Sequence, residues 1–468
     1  MKKKIAHNPY LPGKTYVPDG EPRIFRDRLY LYGSHDEFGE TRYCTGSYQG
    51  WSAPLNDLGD WRYEGEILKK GLDPLDPRGN KDYYAPDVVQ GVDDRYYLYY
   101  SIEGSNVISV AVCDEPAGSY QFLAHVHDQN GRVLGSEAGD YFQFDPAVLV
   151  DNGRVYLYVG QGLPIEELNE RKIGGALVCE LASDMVTAIS EQRVLSSHKE
   201  NIFTENPFFE ASSIRKFNDT YYFIYSALPN THLLCYATSK FPDRDFVYQG
   251  VLVSNADIFL EKNPEQIPFN YWGNNHGSLI KIFDEYYVFY HRSTNKSPNT
   301  RQGMAERIQR DSQGRFLQAE MTSNGLHQEP FTGQGTFFAY TAWALQKKDM
   351  KPFVPFAFLT YDEMDPYITQ EETTDIPFIA NLTKGATCGF RYFQFTGGER
   401  EIKVITRGQG VGNLQVYSET NKVAELTVGG NRQWQETTSE FKVTPRDQTL
   451  TFQFSGTGGI DFLVFEIR

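Results

Sequence analysis

Acidic side chains stand just ahead of, or at the start of, short apolar segments at several widely spaced places in the chain. They are Asp19, Glu21, Asp87, Asp145 and Glu210. When two carboxyl groups face one sugar ring, one can stay protonated and assist the leaving oxygen, while the other is ionised and activates water or attacks the ring. The pattern therefore predicts cleavage of glycosidic bonds, provided that the fold gathers these acids around one substrate.

Glu210 is the best candidate for the protonated acid. It follows Phe208 and Phe209, and apolar surroundings together with a second carboxyl group, for which Asp145 is the candidate, disfavour ionisation. His276 stands at the corresponding place before a further segment. A histidine there can bind a metal or the substrate, or it can make a structural hydrogen bond, and the sequence leaves these roles open.

The acids accompany a repeated segment, which consists of an apolar strand, a tight turn rich in Asp, Asn or Gly, and a tyrosine-rich strand. Five copies recur with a period of 59 to 67 residues; they span 22–32, 88–100, 148–158, 214–225 and 279–290. Such a period leaves room for four strands in each unit and is typical of β-propellers. We therefore predict an all-β fold that begins with a five-bladed β-propeller, in which the acids surround the central channel.

The repeat ends near residue 325, and alternating apolar segments separated by turns follow it. The prediction is a propeller over residues 1–325, a linker over 326–335 and a β-sandwich of the jelly-roll type over 336–468. Trp434 in the second domain could be a sugar-stacking platform, but a core residue is the favoured interpretation.

Composition and charge limit the partners of the protein. A formal net charge of −16 repels nucleic acids and anionic membranes, so a neutral ligand such as an oligosaccharide is expected. Five scattered cysteines without CxxC spacing indicate reduced packing residues. No apolar segment follows the basic start or reaches membrane-spanning length, so a cytoplasmic protein is expected.

Short blocks in a fixed order carry a family resemblance over roughly residues 7–325. They are Asn8-Pro9, Pro18-Asp19-Gly20-Glu21-Pro22, Asp57-Leu58-Gly59-Asp60-Trp61, Tyr84-Ala85-Pro86-Asp87, Phe144-Asp145-Pro146-Ala147-Val148, Phe209-Glu210-Ala211-Ser212, His276-Gly277-Ser278 and Tyr290-His291-Arg292. In these blocks the chain resembles glycoside hydrolase family 43, five-bladed propellers that include β-xylosidases, α-L-arabinofuranosidases and arabinanases. The resemblance implies removal of terminal xylose or arabinose from plant-derived oligosaccharides, without a required cofactor.

The resemblance also implies an inverting mechanism and the residues that perform it. Glu210 corresponds to the general acid, and Asp145 to the residue that raises its pKa and orients it. The general base of the family is normally an Asp directly before Pro, whereas this chain has Asp19-Gly20-Glu21-Pro22. Both acids of this motif are candidates, and Asp19 is favoured because the shorter carboxylate in a turn loosened by glycine leaves more room for water.

Substrate-binding residues are implied in the same way. They are Glu21, Tyr84, Asp87, His276 and Arg301. Tyr84 takes the place of a sugar-stacking tryptophan, and Arg301 matches an arginine on the floor of the funnel. His276 matches a histidine that helps to hold a central calcium ion in many members, so the channel has a candidate structural Ca²⁺ site.

The tail resembles a family 6 carbohydrate-binding module in residues 389–393, 434–436 and 459–462. Loops at 163–167 and 259–265 are expected to close the funnel into a pocket. Two alternatives remain open. One is a non-catalytic sugar-binding protein, which the irregular motif around Asp19 permits. The other is a retaining, fructosidase-like hydrolase, in which the carboxyl groups lie about 5–5.5 Å apart instead of the about 6.5–9.5 Å of inverting enzymes.

Overall fold

The structure of the protein is a computed structural model that describes residues 4, 6–162, 167–168, 171–172, 174–196, 205–327, 329–354 and 365–468. Strands dominate these residues, and their one helix is the 3₁₀ turn η1 (Ala339–Thr341). No helix among them has the length and apolar character needed to cross a membrane. The all-β prediction is confirmed, while 163–166 of the first predicted closing loop lie outside the described residues.

Three antiparallel sheets have the four-stranded form expected of propeller blades, with each strand next to its neighbour in the chain. The first contains β1 (Glu21–Phe25), β2 (Arg28–Tyr32), β3 (Tyr48–Pro54) and β4 (Arg62–Leu68). The second contains β5 (Tyr83–Gln90), β6 (Tyr96–Ile102), β7 (Ser109–Cys113) and β8 (Gln121–His125). The fourth contains β17 (Phe208–Phe217), β18 (Thr220–Ala227), β19 (Leu233–Ser239) and β20 (Val247–Ser254).

The third sheet is less regular than the four-stranded prediction. It contains β9 (His127–Asp128), β10 (Ala147–Asp151), β11 (Arg154–Gln161), β14 (Gly175–Leu181), β15 (Thr187–Ala188) and β16 (Arg193–Ser196). Both β15 and β16 pair with β14, so its outer part is divided between two short strands. A separate hairpin is formed by β12 (Glu167–Leu168) and β13 (Arg171–Lys172).

The fifth sheet has three strands in the described part of the chain, one fewer than predicted. They are β21 (Ser278–Ile282), β22 (Glu285–Thr294) and β23 (Ser297–Ile308). After β23 the chain turns back between Arg310 and Phe316, and Ala319 pairs in parallel with Val253 of β20. This segment therefore extends the fourth sheet and does not add a strand to the fifth.

The repeated hairpins share one register, as expected for equivalent blades. The pairs are Arg23 with Tyr30, Val89 with Tyr97, Leu149 with Tyr156, Arg215 with Tyr222, and Ile280 with Tyr287. Each hairpin turn contains one non-glycine residue with a positive φ; these are Arg26, Asp94, Asn152, Asn218 and Phe283. The tight turn predicted from the repeat is thus present five times.

Buried apolar clusters fill the spaces between neighbouring sheets. The ring closes between the first and the fifth sheet, where Leu31 and Phe289 share a cluster with Tyr10 and Val17 of the N-terminal segment. The five-bladed β-propeller is confirmed, and the N-terminal segment packs into its closure.

A ten-stranded sheet follows the propeller. Its strands are β24 (Phe331–Thr332), β25 (Gly335–Phe338), β26 (Ala344–Gln346), β27 (Tyr367–Thr369), β28 (Phe378–Thr383), β29 (Thr387–Phe395), β30 (Glu401–Ser418), β31 (Asn421–Glu440), β32 (Arg446–Thr457) and β33 (Gly459–Ile467). The central order is β24-β29-β32-β30-β33-β28-β27. The sheet curls around a phenylalanine-rich core, and this sandwich-like arrangement confirms the predicted class of the tail.

Trp434 is not the core residue that the sequence predicts. It lies on β31 with a half-buried side chain, and its ring contacts Phe378 edge-on and the Arg407 guanidinium at 4.4 Å. Among the strands that the structure describes, β31 pairs with β30 alone and lies at an edge of the sheet, and most of its residues around Trp434 are exposed.

Candidate active site

A cavity of about 260 Å³ opens where the innermost strands of the five sheets begin. Its lining consists of Asp19, Tyr43, Cys44, Tyr84, Ala85, Phe144, Asp145, Glu210, Asn274, Asn275, His276, His291 and Arg301. Six predicted site residues are in this set: Asp19, Tyr84, Asp145, Glu210, His276 and Arg301. Residues from all five blades therefore meet at one concave surface.

The backbone bends sharply where these strands begin. Asp19, Ala85, Asp145 and Ala211 have φ values of 57°, 30°, 44° and 66°, in a region that residues other than glycine, Asn and Asp rarely adopt. Strand pairing is also irregular between Tyr84 and Asp87 and around Glu210. Strained backbone of this kind persists only where the surrounding structure holds it, and it is common at active sites.

Asp19 is held as an ionised carboxylate. Arg301 Nη1 donates to Asp19 Oδ1 over 2.9 Å, and Asp19 is 5% exposed. Burial alone would raise the pKa of Asp19, but the charge of Arg301 opposes burial most strongly, a side-chain hydrogen bond from Ser34 acts in the same direction, and the pKa is lowered overall. An ionised carboxylate facing the cavity can accept a proton from water.

His291 is a neutral histidine that orients Asp19. Its Nε2 lies 2.6 Å from the carbonyl oxygen of Asn274, so Nε2 carries the proton and donates. Its Nδ1 then accepts from the Asp19 backbone N–H over 3.3 Å. Burial lowers the pKa of His291 to about 3, which keeps the ring uncharged near neutral pH.

The pKa values of Glu210 and Asp145 are raised, whereas that of Asp19 is lowered. Burial raises the pKa of Glu210 to about 7. A hydrogen bond from Gln161 Nε2 to Glu210 Oε2, over 3.2 Å, lowers this pKa in part, and the charge of Asp19 raises it. Burial and the neighbouring Glu210 also raise the pKa of Asp145, whose Oδ2 accepts the Ala211 N–H over 3.1 Å. The pair can therefore hold a proton near neutral pH while Asp19 is ionised.

Aromatic rings form part of the cavity wall. The rings of Tyr84 and Phe144 have centroids 5.9 Å apart, and the Tyr43 ring lies 4.9 Å from the Arg301 guanidinium. All three rings are partly exposed. Apolar and aromatic walls with a few polar groups are typical of small-molecule pockets.

Glu21 and Asp87, which were predicted to contact substrate, are not part of the cavity lining. Arg215 Nη2 donates to Glu21 Oε2 over 2.5 Å. Arg23 Nε donates to Asp87 Oδ1 over 3.0 Å, and the Val148 N–H donates to Asp87 Oδ2 over 2.8 Å. Both acids are at most 2% exposed, so they serve as buried ion-pair links between the innermost strands.

His276 lines the cavity, with Nδ1 3.8 Å from Asp145 Oδ2. Burial lowers its pKa. Calcium prefers about six to eight oxygen ligands, and the residues that the structure describes contain no group of three or more His, Cys, Asp or Glu side chains that could hold a metal ion. The side chains around His276 therefore do not fit a calcium site built from protein ligands.

The residues that reach the site without an assigned role in the sequence include Asp36, Tyr43, Gln161 and His291. The first three come from the loop after β2 and from the end of β11, where no motif marks them. His291 stands in one of the family blocks, and the hairpin of β22 and β23 brings it close to Arg301. Its place in the block, together with this hairpin, could have predicted that His291 reaches the site. Phe259, from the second predicted closing loop, stacks on His232 with centroids 5.9 Å apart and is not among the lining residues.

Comparison with known proteins identifies the family of the chain. Residues 7–316 match the family model of the glycosyl hydrolases family 43. The chain belongs to this family. A xylosidase/arabinosidase of Thermoclostridium stercorarium is 40% identical over 475 residues, which cover 99% of each chain. The family 43 chain is therefore an enzyme that hydrolyses glycosidic bonds, and the non-catalytic alternative does not hold.

More distant relatives of this family 43 enzyme also extend into its second domain. An arabinoxylan arabinofuranohydrolase of Bacillus subtilis (strain 168) is 25% identical, with 93% of this chain and 86% of the relative covered. The fold is similar to the crystal structure of a glycoside hydrolase family 43 arabinoxylan arabinofuranohydrolase from Bacillus subtilis in complex with cellotetraose, with a TM-score of 0.52 and 19% identity over 99% of each chain. The two-domain architecture thus recurs in a solved structure.

Proposed function

We propose that the protein removes terminal xylosyl or arabinofuranosyl residues from plant-derived oligosaccharides by an inverting mechanism. Glu210 is the general acid, Asp19 the general base, and Asp145 the residue that keeps Glu210 protonated. One observation carries the proposal: a single cavity contains an acid whose pKa is raised to about 7 and a second acid whose pKa is lowered. Opposite protonation states near neutral pH are what acid–base hydrolysis of a glycoside requires.

The reaction balances with these two residues and water. Glu210 transfers its proton to the glycosidic oxygen as the bond from that oxygen to the anomeric carbon breaks. Asp19 takes a proton from a water molecule, whose oxygen attacks the anomeric carbon from the opposite face. Glu210 is left ionised and Asp19 protonated, and proton exchange with solvent restores both. The proposed reaction uses no cofactor.

The choice of Asp19 over Glu21 as base rests on access and partners. Asp19 lines the cavity, whereas Glu21 is 2% exposed and bound by Arg215. A base must reach the proton that it removes, directly or through one water molecule. This requirement favours Asp19.

The proposed substrate class rests on relatives and on the size of the cavity. The 40% identical relative is a xylosidase/arabinosidase. The cavity of about 260 Å³ is slightly smaller than the roughly 300–1,000 Å³ of typical ligand pockets. A space of this size suits one terminal sugar ring better than a segment of polymer, which supports exo action.

A panel of p-nitrophenyl xylosides and arabinofuranosides tests this proposal, with the anomer of the first product followed by NMR. We expect turnover of at least one pentoside and a product of inverted configuration. Glu210→Gln should lower kcat by about 10²- to 10⁴-fold on substrates with poor leaving groups, because assistance by a general acid is lost. Asp19→Asn should lower kcat on all substrates, because activation of water does not depend on the leaving group.

A product of retained configuration would favour the retaining alternative, in which the second carboxylate acts as a nucleophile and not as a base. Near-normal turnover by Asp19→Asn, in a variant with unchanged thermal stability, would move the base elsewhere in the cavity.

A further inference from the structure

The Arg301 side chain is held by a second carboxylate besides Asp19. Its Nε and Nη2 donate to Asp36 Oδ2 and Oδ1 over 2.8 and 2.9 Å. Nη2 also donates to Cys44 Sγ over 3.3 Å, and Nη1 donates to Asp19 Oδ1 over 2.9 Å. A guanidinium has five N–H groups in a rigid fork. The four hydrogen bonds named above use four of these groups, and the fifth belongs to Nη1.

Asp36 lies behind Arg301 and does not line the cavity. Its side chain is fully buried, and both of its oxygens accept further hydrogen bonds, from the Arg301 and Cys44 backbone N–H groups over 3.0 Å each. Such a saturated, bidentate pair fixes the plane of the guanidinium as well as its position. The loop after β2 thus controls how β23 presents Arg301 to the site.

We propose that Asp36 is a positioning residue for the hydrolysis: it holds the Arg301 fork so that a single Nη1 edge meets Asp19, and its charge offsets that of Arg301. This inference rests on the proposed role of Asp19 as base. With Asp36 in place, Nε and Nη2 of Arg301 are engaged by Asp36, and Arg301 donates to Asp19 through Nη1, at Oδ1. Without Asp36, both Nη groups are free to turn onto Asp19 and occupy the oxygens that water needs.

Several titratable groups share this environment. Around Asp19 they are Arg301 on β23, His291 on β22, His276 before β21, Asp145 before β10, Glu210 on β17, Cys44 after β2, Tyr10 in the N-terminal segment and Tyr48 on β3. Around Asp36 they are Arg301, Tyr43 and Cys44. Arg301 is the cation that both acids contact, so removal of the Asp36 charge acts on the site through Arg301.

Asp36→Asn tests the inference, with Asp257→Asn as the matched control. Asp257 is also a fully buried acid paired with an arginine, Arg391 of the second domain, but it is not part of the cavity lining. We expect Asp36→Asn to lower kcat for p-nitrophenyl pentosides by about 10- to 100-fold, as misplaced catalytic groups do, with a smaller change in KM. The basic limb of the pH–rate profile should move to lower pH, because an uncompensated Arg301 charge favours ionised Glu210.

Asp257→Asn should lower thermal stability and leave kcat and the basic limb of the folded enzyme unchanged. Arg301→Lys provides a second test if Asp36→Asn fails to fold, because one ammonium cannot bind both carboxylates in a fixed plane. We expect a similar loss of kcat.

Normal kcat and an unmoved basic limb in Asp36→Asn, or normal kcat in Arg301→Lys, would overturn the inference. Asp19→Asn separates this failure from failure of the proposed function. If Asp19→Asn is inactive while Asp36→Asn is normal, only the positioning role is wrong. If Asp19→Asn is active, the base itself has been misassigned.

Discussion

At the scale of single residues, the site depends on acids of similar intrinsic strength that are driven apart by their surroundings. Asp19 faces the guanidinium of Arg301, which lowers its pKa. Glu210 is held by an uncharged amide, that of Gln161, and burial raises its pKa to about 7. The difference therefore comes from which side chains stand beside each acid, since isolated Asp and Glu differ little.

Asp145 is predicted to set the upper pH limit of activity. Burial and Glu210 raise the pKa of Asp145, and two neighbouring carboxyl groups oppose each other's ionisation. In the proposed mechanism Glu210 must be protonated to act, so activity should be lost as pH rises through its pKa. Removal of the Asp145 charge lowers that pKa, and Asp145→Asn should move the basic limb of kcat/KM to lower pH. A pH–rate profile with an unmoved basic limb would remove Asp145 from this role.

At the scale of elements, the propeller brings the cavity-lining residues together through the starts of its innermost strands. The same short stretch of each blade supplies part of the cavity, and left-handed residues such as Asp19 and Asp145 turn the chain there. Close approach of neighbouring strands is the second requirement. A Cβ added at Gly277 would lie 1.8 Å from the carbonyl oxygen of Phe289 on β22. Gly277 directly follows His276, and Phe289 stands two residues before His291.

Gly277→Ala is therefore expected to force β21 and β22 apart. The cost should be about 1–3 kcal/mol in the free energy of unfolding, as for other overpacked sites, together with reduced kcat because both histidines shift. Urea denaturation and kinetics on a pentoside measure the two effects. Gly273→Ala is the control, since a Cβ there meets no atom within 4 Å, and it should change stability by less than about 0.5 kcal/mol. Equal effects of the two substitutions would contradict the steric argument.

At the scale of the whole molecule, the second domain contacts the propeller at β22 and β23, the strands that carry His291 and Arg301. Arg292, which follows His291, is 0% exposed. Its Nη1 and Nη2 donate to the carbonyl oxygens of Ala342 and Tyr340, each over 2.6 Å, and Gln302 next to Arg301 accepts from the same guanidinium. A fully buried cation thus joins β22 and β23 of the propeller to the first turn of the tail.

Arg292→Met should destabilise the protein by about 2–5 kcal/mol, because it leaves two buried carbonyl oxygens and the Gln302 amide oxygen without a donor. Thermal and urea unfolding of the full chain measure the loss. Arg307→Met on the same hairpin is the matched control. Its salt bridge to Glu285 is exposed, and such pairs contribute about 0–1 kcal/mol. A loss no larger than that of the control would show that the domain contact adds little.

The sequence by itself determined the class of the fold and the number of blades. Strand, turn and strand alternate within about a dozen residues, so the hairpin is specified locally, and its period counts the units. The acids that line the cavity were predictable for the same reason: they stand at equivalent places relative to each hairpin. Asp19, Asp145 and Glu210 reach the cavity as a consequence of that shared position.

Only the tertiary structure decided which acid faces substrate and which is a buried ion pair. Glu21 and Asp87 stand only two residues from cavity-lining positions, but arginines from other blades bind them, and no local pattern encodes a partner that distant. Asp36 was hidden for a related reason, because its role depends on Arg301 about 260 residues further along the chain. Electrostatic partnership depends on distances through space, and these exist only after the blades close into a ring.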